Sequence, residues 1–195
     1  MDLTRLPDDL PVPVDDGAAD HLVGSPMPAV ALRSTDGATV SLDALAPGRT
    51  VVYAYPMTGG GPGVELPADW DAIPGARGCT AEACAFRDRH ADLLAAGASA
   101  VYGLSTQDTA SQSEAVERLH LPFPMLSDEA FALTRALRLP TFDAGGRTLL
   151  RRLTMVVTDG VVEKVFYPVF PPDRHAAEVL AWLVRTPGSS VPAAP

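Results

Sequence analysis

A mixed α/β sheet covered by helices and bracketed by β-hairpins is the architecture this sequence predicts, and three observations predict it. Short apolar runs alternate with helical patterns along the middle of the chain. Two Asp-Gly turn signals, Asp36-Gly37 and Asp159-Gly160, each sit between apolar runs near either end. Between them, the run from Thr50 to Tyr55 is almost continuously β-forming and is stopped by Pro56, as suits a strand buried on both faces.

Taken in order, Ala29 to Ser34 and Ala38 to Leu42 form the first hairpin around Asp36-Gly37, where glycine tolerates a positive φ. Thr50 to Tyr55 is the central strand, and Ser99 to Ser105 is a second buried run. Thr148 to Thr158 and Val161 to Tyr167 flank Asp159-Gly160 as the closing hairpin. Of the helical patterns, Thr80 to Ala96 keeps Ala83, Phe86, His90, Leu93 and Leu94 on one face and ends at Gly97. Thr109 to Leu119, Asp128 to Leu137 (with Ser127 as N-cap) and Asp173 to Val184 (opened by Pro171-Pro172) are the others. Residues 1–21 read as a flexible, Pro- and Asp-containing leader, 22–184 as one domain, and 185–195 as a flexible tail. Residues 57–78, rich in Gly and Pro, form a loop longer than compact domains ordinarily carry; such loops are commonly functional or mobile.

Composition excludes several classes. The chain has 195 residues, 47% of them hydrophobic, enough for one domain with a sizeable core. A net charge of −9 argues against nucleic-acid binding. No segment reaches the roughly 20 apolar residues of a membrane-spanning helix, so no membrane partner is expected. The acidic N-terminus lacks the charge and apolar core of a signal peptide, which makes a cytoplasmic, reducing location the expectation. The chain's two cysteines, Cys79 and Cys84, are too few for a disulfide scaffold or a four-cysteine zinc site. The four histidines show no paired ligand spacing, which argues against zinc; no metal or other cofactor is expected.

Cys79 falls at the start of a helix, where free N–H groups and the helix dipole favour a thiolate. It is either a reactive nucleophile of that kind or a small buried hydrophobe. Arg77 would assist a thiolate and Glu82 would oppose it. Cys84 lies five residues on, about 7.5 Å of helical rise and roughly 140° of rotation away. That exceeds the roughly 7 Å over which two Cα atoms can be bridged. A static disulfide is disfavoured, and a switching pair requires the first turns of the helix to unwind.

The run Gly78-Cys79-Thr80-Ala81-Glu82-Ala83-Cys84-Ala85-Phe86-Arg87-Asp88 resembles the active-site segment of the peroxiredoxins, in their Q-type or bacterioferritin-comigratory branch. Val23 to Pro28, Asp36-Gly37, Val51 to Pro56, Gly103-Leu104-Ser105, Leu121 to Asp128 and Arg152-Leu153-Thr154-Met155 match further motifs of that family in order. The resemblance implies a thioredoxin-like fold and a thiol peroxidase acting on H2O2 or organic hydroperoxides. In it Cys79 is the peroxidatic cysteine, Cys84 the resolving one, and Arg152 the residue that orients the peroxide. A thioredoxin-like or other dithiol would be the reductant, and the protein a monomer or homodimer. Without the resemblance, Arg152 reads as a solvated strand arginine beside Arg151.

The family's threonine three residues before the cysteine is replaced here by Ala76, and its proline, Pro56, lies far upstream. The simplest alignment keeps Pro56-Met57-Thr58 and places an insertion over 57–78, with Thr58 folding back to the site. The alternatives are a thiol–disulfide oxidoreductase without peroxidase activity and a catalytically silent thioredoxin-fold binding protein. Trp70 either lines a substrate pocket or staples the insertion to the body. Phe166, Tyr167 and Phe170 form either an exposed oligomer contact or a covered loop.

Overall fold

The computed structural model describes residues 6, 7, 9–61 and 64–187. Residues 1–5 and 8 of the leader, 62–63 of the insertion and 188–195 of the tail lie outside them. The elements are β1 (Ala31–Ser34), β2 (Thr39–Ser41), β3 (Arg49–Ala54), α1 (Cys79–Asp88), α2 (His90–Ala95), β4 (Ala98–Ser105), α3 (Thr109–Leu119), β5 (Met125–Ser127), α4 (Ala132–Leu137), β6 (Thr141–Ala144), β7 (Arg147–Leu150), β8 (Leu153–Thr158), β9 (Val161–Phe166) and α5 (His175–Arg185). Seven strands form one sheet in the order β2-β1-β5-β4-β3-β8-β9, and β6-β7 form a separate ribbon. Strands β3, β4 and β5 are parallel neighbours, while the outer pairings are antiparallel, so the sheet is mixed and opens with an N-terminal hairpin.

All six residues of β3 are buried, because the sheet is covered on both faces. Val51, Tyr53 and Tyr55 enter a core with Ala83 and Phe86 of α1, Leu93 of α2 and Val179 and Leu183 of α5. Val52 and Ala54 enter the opposite core with Leu22, Leu133 of α4 and Leu153. In the first core Tyr53 stacks on Phe86 (4.3 Å between centroids, 10° between planes) and meets Phe123 edge-on at 5.9 Å.

The long run predicted over Thr148 to Thr158 is two strands. β7 turns back on β6 through Gly145-Gly146, both at positive φ as a two-residue type I′ turn requires. β8 then joins the main sheet, and Arg151-Arg152 is the junction between the two sheets. The single helix predicted over Thr80 to Ala96 also divides. Arg89 leaves the helical well (φ −108°, ψ 6°), and the chain restarts at His90, whose ring lies 5.5 Å from Phe123. α4 begins at Ala132 with Phe131, not Ser127, as its N-cap, and its first-turn N–H groups are met from outside the helix by Asp128. Its carboxylate accepts from Leu133 N (3.0 Å), Thr134 N (2.8 Å) and Thr134 Oγ1 (2.6 Å), while the Ser127 hydroxyl donates to Gln107 O.

The inserted segment packs onto the β6-β7 ribbon. Met57, Trp70 and Ala76 share a third apolar cluster with Ala144 and Leu149, and Trp70 lies 6.3 Å from the Phe142 ring. Phe166 is buried against His175 and Trp182 and Val169 is buried, while Tyr167 and Phe170 are half-buried. Among the described residues no helix is long and apolar enough to cross a membrane.

Candidate active site

Gly78 is the N-cap of α1, in the left-handed region at φ 107°. A Cβ there would stand 2.3 Å from Pro172 Cγ and 3.0 Å from Leu6 Cδ2, so the position has room only for glycine. Cys79 is the next residue and the first of the helix, 4% exposed. Its thiol donates to the carbonyl oxygen of Ala76 at 3.6 Å.

Arg152, buried at the sheet junction, reaches the same place. Its Nη2 lies 3.2 Å from Cys79 Sγ, 3.3 Å from Ala76 O and 3.4 Å from Arg77 O. Its Nη1 donates to Glu82 Oε2, forming an ion pair in which both side chains are almost wholly buried. The neighbouring Arg151 instead lies against the Phe142 ring, 6.0 Å from its centroid. Of the two arginines, Arg152 is the one that reaches Cys79 Sγ. Burial works against the Arg152 charge, but Glu82 and the sulfur outweigh it and hold the guanidinium protonated. Burial also pushes the Glu82 carboxyl above the usual carboxylate range, against the pull of Arg152 and then His175.

Glu82 enters the site through its ion pair with Arg152. Three residues after Cys79 on the same helix, it shares the sulfur's face. It acts on Arg152, which carries the positive charge that faces the sulfur. That spacing was the one signal in the sequence that could have identified it. Behind this layer, His175 Nε2 lies 2.7 Å from Thr154 Oγ1, with its ring between Phe86 and Phe166.

Thr58 is brought into a different set of hydrogen bonds. Its N and Oγ1 both donate to Gln107 Oε1, at 2.8 and 3.1 Å, and its carbonyl accepts from Gln107 Nε2 at 3.3 Å. The Gln107 amide thus pairs with the Thr58 backbone much as a neighbouring strand would, and it also takes up the hydroxyl. Nothing in the sequence marks Gln107 for this task. The residues on either side of Thr58, Met57 and Gly59, line the recess that ends at Cys79, together with Leu66, Trp70 and Arg77. Trp70 therefore both staples the insertion and walls the site. The recess holds only about 10 Å³ of accessible space, about enough for one water-sized group. Met57 is also a wall of a wider cleft of about 460 Å³ that includes Val64, Phe131, Arg147 and Leu149.

Cys84 is half-buried on another side of α1, at a cleft of about 330 Å³ shared with Arg89 and Asp173. Burial pushes its thiol up, with Arg87 opposing. Both cysteines are free thiols. The structure therefore brings Cys79, Arg152 and Glu82 together, ties Thr58 to Gln107, and opens Cys84 onto a different cleft.

The Redoxin family model matches residues 22–180. The chain is 35% identical over 157 residues to the chloroplastic peroxiredoxin Q of Oryza sativa subsp. japonica, covering 80% of this chain and 64% of that protein. It thus spans less than two thirds of the rice relative's length. To the chloroplastic peroxiredoxin Q of Sedum lineare it is 32% identical over 160 residues, covering 82% of this chain and 76% of the relative. Among solved structures, peroxidoxin BcpB of Mycobacterium tuberculosis superposes with a TM-score of 0.66 at 25% identity, covering 85% of this chain and 98% of that one.

Proposed function

The chain belongs to the Redoxin family, on its peroxiredoxin Q branch and with that branch's thioredoxin-like fold, and from that premise we propose that it is a thiol-dependent peroxidase. The observation that carries the reading is the Arg152 Nη2 held 3.2 Å from Cys79 Sγ at the end of a narrow recess. Cys79, as thiolate, attacks the distal oxygen of a hydroperoxide; the S–O bond forms, the O–O bond breaks, and water or an alcohol leaves with a proton. Arg152, fixed by Glu82, stabilises both the sulfur anion and the negative charge developing on the leaving oxygen.

Cys84 is the resolving cysteine in this reading. It displaces hydroxide from the sulfenic acid to close a disulfide, and an external dithiol, thioredoxin-like or other, restores both thiols by exchange. Because the two cysteines lie apart on an intact α1, this step requires the first turn to open. The recess suits the peroxide group itself. The wider cleft across Met57 has room for the body of an organic hydroperoxide, so both H2O2 and organic hydroperoxides are substrates. Thr58 contributes by holding Met57 and Gly59 at the mouth through its bonds to Gln107. The catalytic unit is 22–184 with the insertion at 57–78, and the cytoplasm, which keeps thiols reduced, is its setting.

Stopped-flow oxidation of the fully reduced protein tests the reading. Peroxide should consume Cys79 rapidly, Cys79→Ser should abolish the reaction, and Cys84→Ser should leave the first oxidation fast while trapping the sulfenic acid. A reduced protein that exchanges with disulfides but reacts with peroxide no faster than a free thiol would instead be an exchange catalyst.

A further inference from the structure

The chain ahead of the first core residues crosses the active site. Pro13 lies against Gly75, its carbons 3.6 and 3.7 Å from where a Cβ on Gly75 would sit. Pro13 also lines a small cavity with Arg152, Tyr167 and Val169. Farther toward the N-terminus, Leu6 Cδ2 stands 3.0 Å from the position a Gly78 Cβ would take, and Pro172 closes the other side. The far end of this stretch is fastened twice. Tyr167 OH donates to Asp16 Oδ1 at 2.8 Å, and Ala19 and Leu22 are buried in the second core. Pro7, Pro11 and Pro13 stiffen the segment between these points.

Gly78 and Cys79 are also the residues that must move before Cys84 can reach the sulfur. We propose that the strap formed by Leu6 and residues 9–16 clamps the first turn of α1 and sets the rate at which it opens, and with it the fate of oxidised Cys79. This rests on the peroxidase reading. Two reactions compete for the sulfenic acid. In one, Cys84 attacks, the S–S bond forms, the S–O bond breaks, and hydroxide leaves with the Cys84 proton as water. In the other, a second hydroperoxide gives an oxygen atom to the sulfenate; the sulfur is oxidised by two electrons to the sulfinic acid and the hydroperoxide is reduced to water or alcohol. A clamp that slows opening disfavours the first reaction and leaves the second untouched, so the strap makes the site sensitive to excess peroxide.

The test uses the full chain with Leu6→Gly and Pro13→Gly combined. In stopped flow the disulfide-forming phase should accelerate about fivefold or more, as expected for losing one to two buried methylene contacts, while Cys79 oxidation stays within about twofold. Mass spectrometry after a peroxide pulse should show a smaller sulfinic fraction. Amide exchange of the reduced protein, with no peroxide present, should quicken in the first turn of α1 by a similar factor. Asp16→Ala, which releases only the Tyr167 anchor, should move each readout the same way by less, and it serves as the test should the double variant not fold. Unchanged exchange and an unchanged second phase would overturn the strap's role. A wild-type protein inert to peroxide would overturn the peroxidase reading instead, with amide exchange still deciding whether the strap clamps the helix.

Discussion

Arg49 and Arg152 stand at opposite ends of the same β3-β8 ladder, roughly 20 Å apart by strand rise, and their surroundings differ. Arg49 is saturated. Its Nε and Nη2 make a two-pronged pair with Glu163 at 2.8 and 2.6 Å, its Nη1 donates to Thr186 O, and Trp182 lies 4.9 Å from its guanidinium carbon. Arg152 spreads one nitrogen over two carbonyls and a sulfur, while Glu82 Oε1 and Arg152 Nε have no hydrogen-bond partner although both are buried. Unsatisfied buried polar atoms are costly and uncommon. Both are arginine–carboxylate pairs, but the one at Arg49 closes on itself and ties down a chain end. The one at Arg152 keeps donor capacity pointed at a sulfur, which is the arrangement expected of a group that works on a changing partner.

That contrast is most exposed at the two arginines. Arg152→Met should slow Cys79 oxidation by peroxide about 100- to 1,000-fold, the usual loss for a donor at a developing oxyanion, whereas Arg49→Met should leave the rate within about twofold. Equal effects in stopped flow would erase the distinction. The next largest difference lies in the carboxylates. Glu82→Gln strands a buried guanidinium and should cost about 3 kcal/mol in urea unfolding. Glu163 is partly exposed, and Glu163→Gln should cost less than about 1 kcal/mol.

The smallest effect concerns pH, where the two carboxylates have opposite signs. The bond from Arg49 holds Glu163 below its ordinary 4.5, so its contribution is present above that value and is lost as pH falls through the lowered one. Burial raises Glu82, so its contribution is full below 4.5 and is lost as pH rises through the raised value. Unfolding free energies measured between pH 3 and 7 should therefore show Glu163→Gln flattening the acid-side loss. Glu82→Gln should remove a decline on the neutral side of 4.5. Curves that shift in the same direction would show that the two pairs are alike.

Much of this architecture was legible in the chain, and the reason differs from part to part. The continuous apolar run in β3 announced a strand covered on both faces, and two Asp-Gly turns announced the β1-β2 and β8-β9 hairpins, because these features are local. Cys79 was legible at a helix start, since a long loop ends there and an amphipathic pattern follows. Arg152 was legible only through family resemblance. Composition does not distinguish it from Arg151, and what separates them is the passage from one sheet to the other. The same passage hid β6 and β7, whose pairing depends on which sheet each strand joins. The halt at Arg89 is not announced by a Gly or Pro, the residues that mark a helix break in a sequence. Gln107 was out of reach because its task is to meet a backbone segment 49 residues away.

The sheet itself acts as a bulkhead. In the proposed cycle the protein must partly come apart at every turnover, and a protein whose helices all shared a single interior would risk flooding the whole of it each time. Here β3 sends Val51 and Tyr53 to the compartment that holds α1, and Val52 and Ala54 to one that does not. Opening at Cys79 can wet the first compartment while the second stays dry. Damage to the moving side is then confined to that side, and the template on which the first turn of α1 re-forms remains in place.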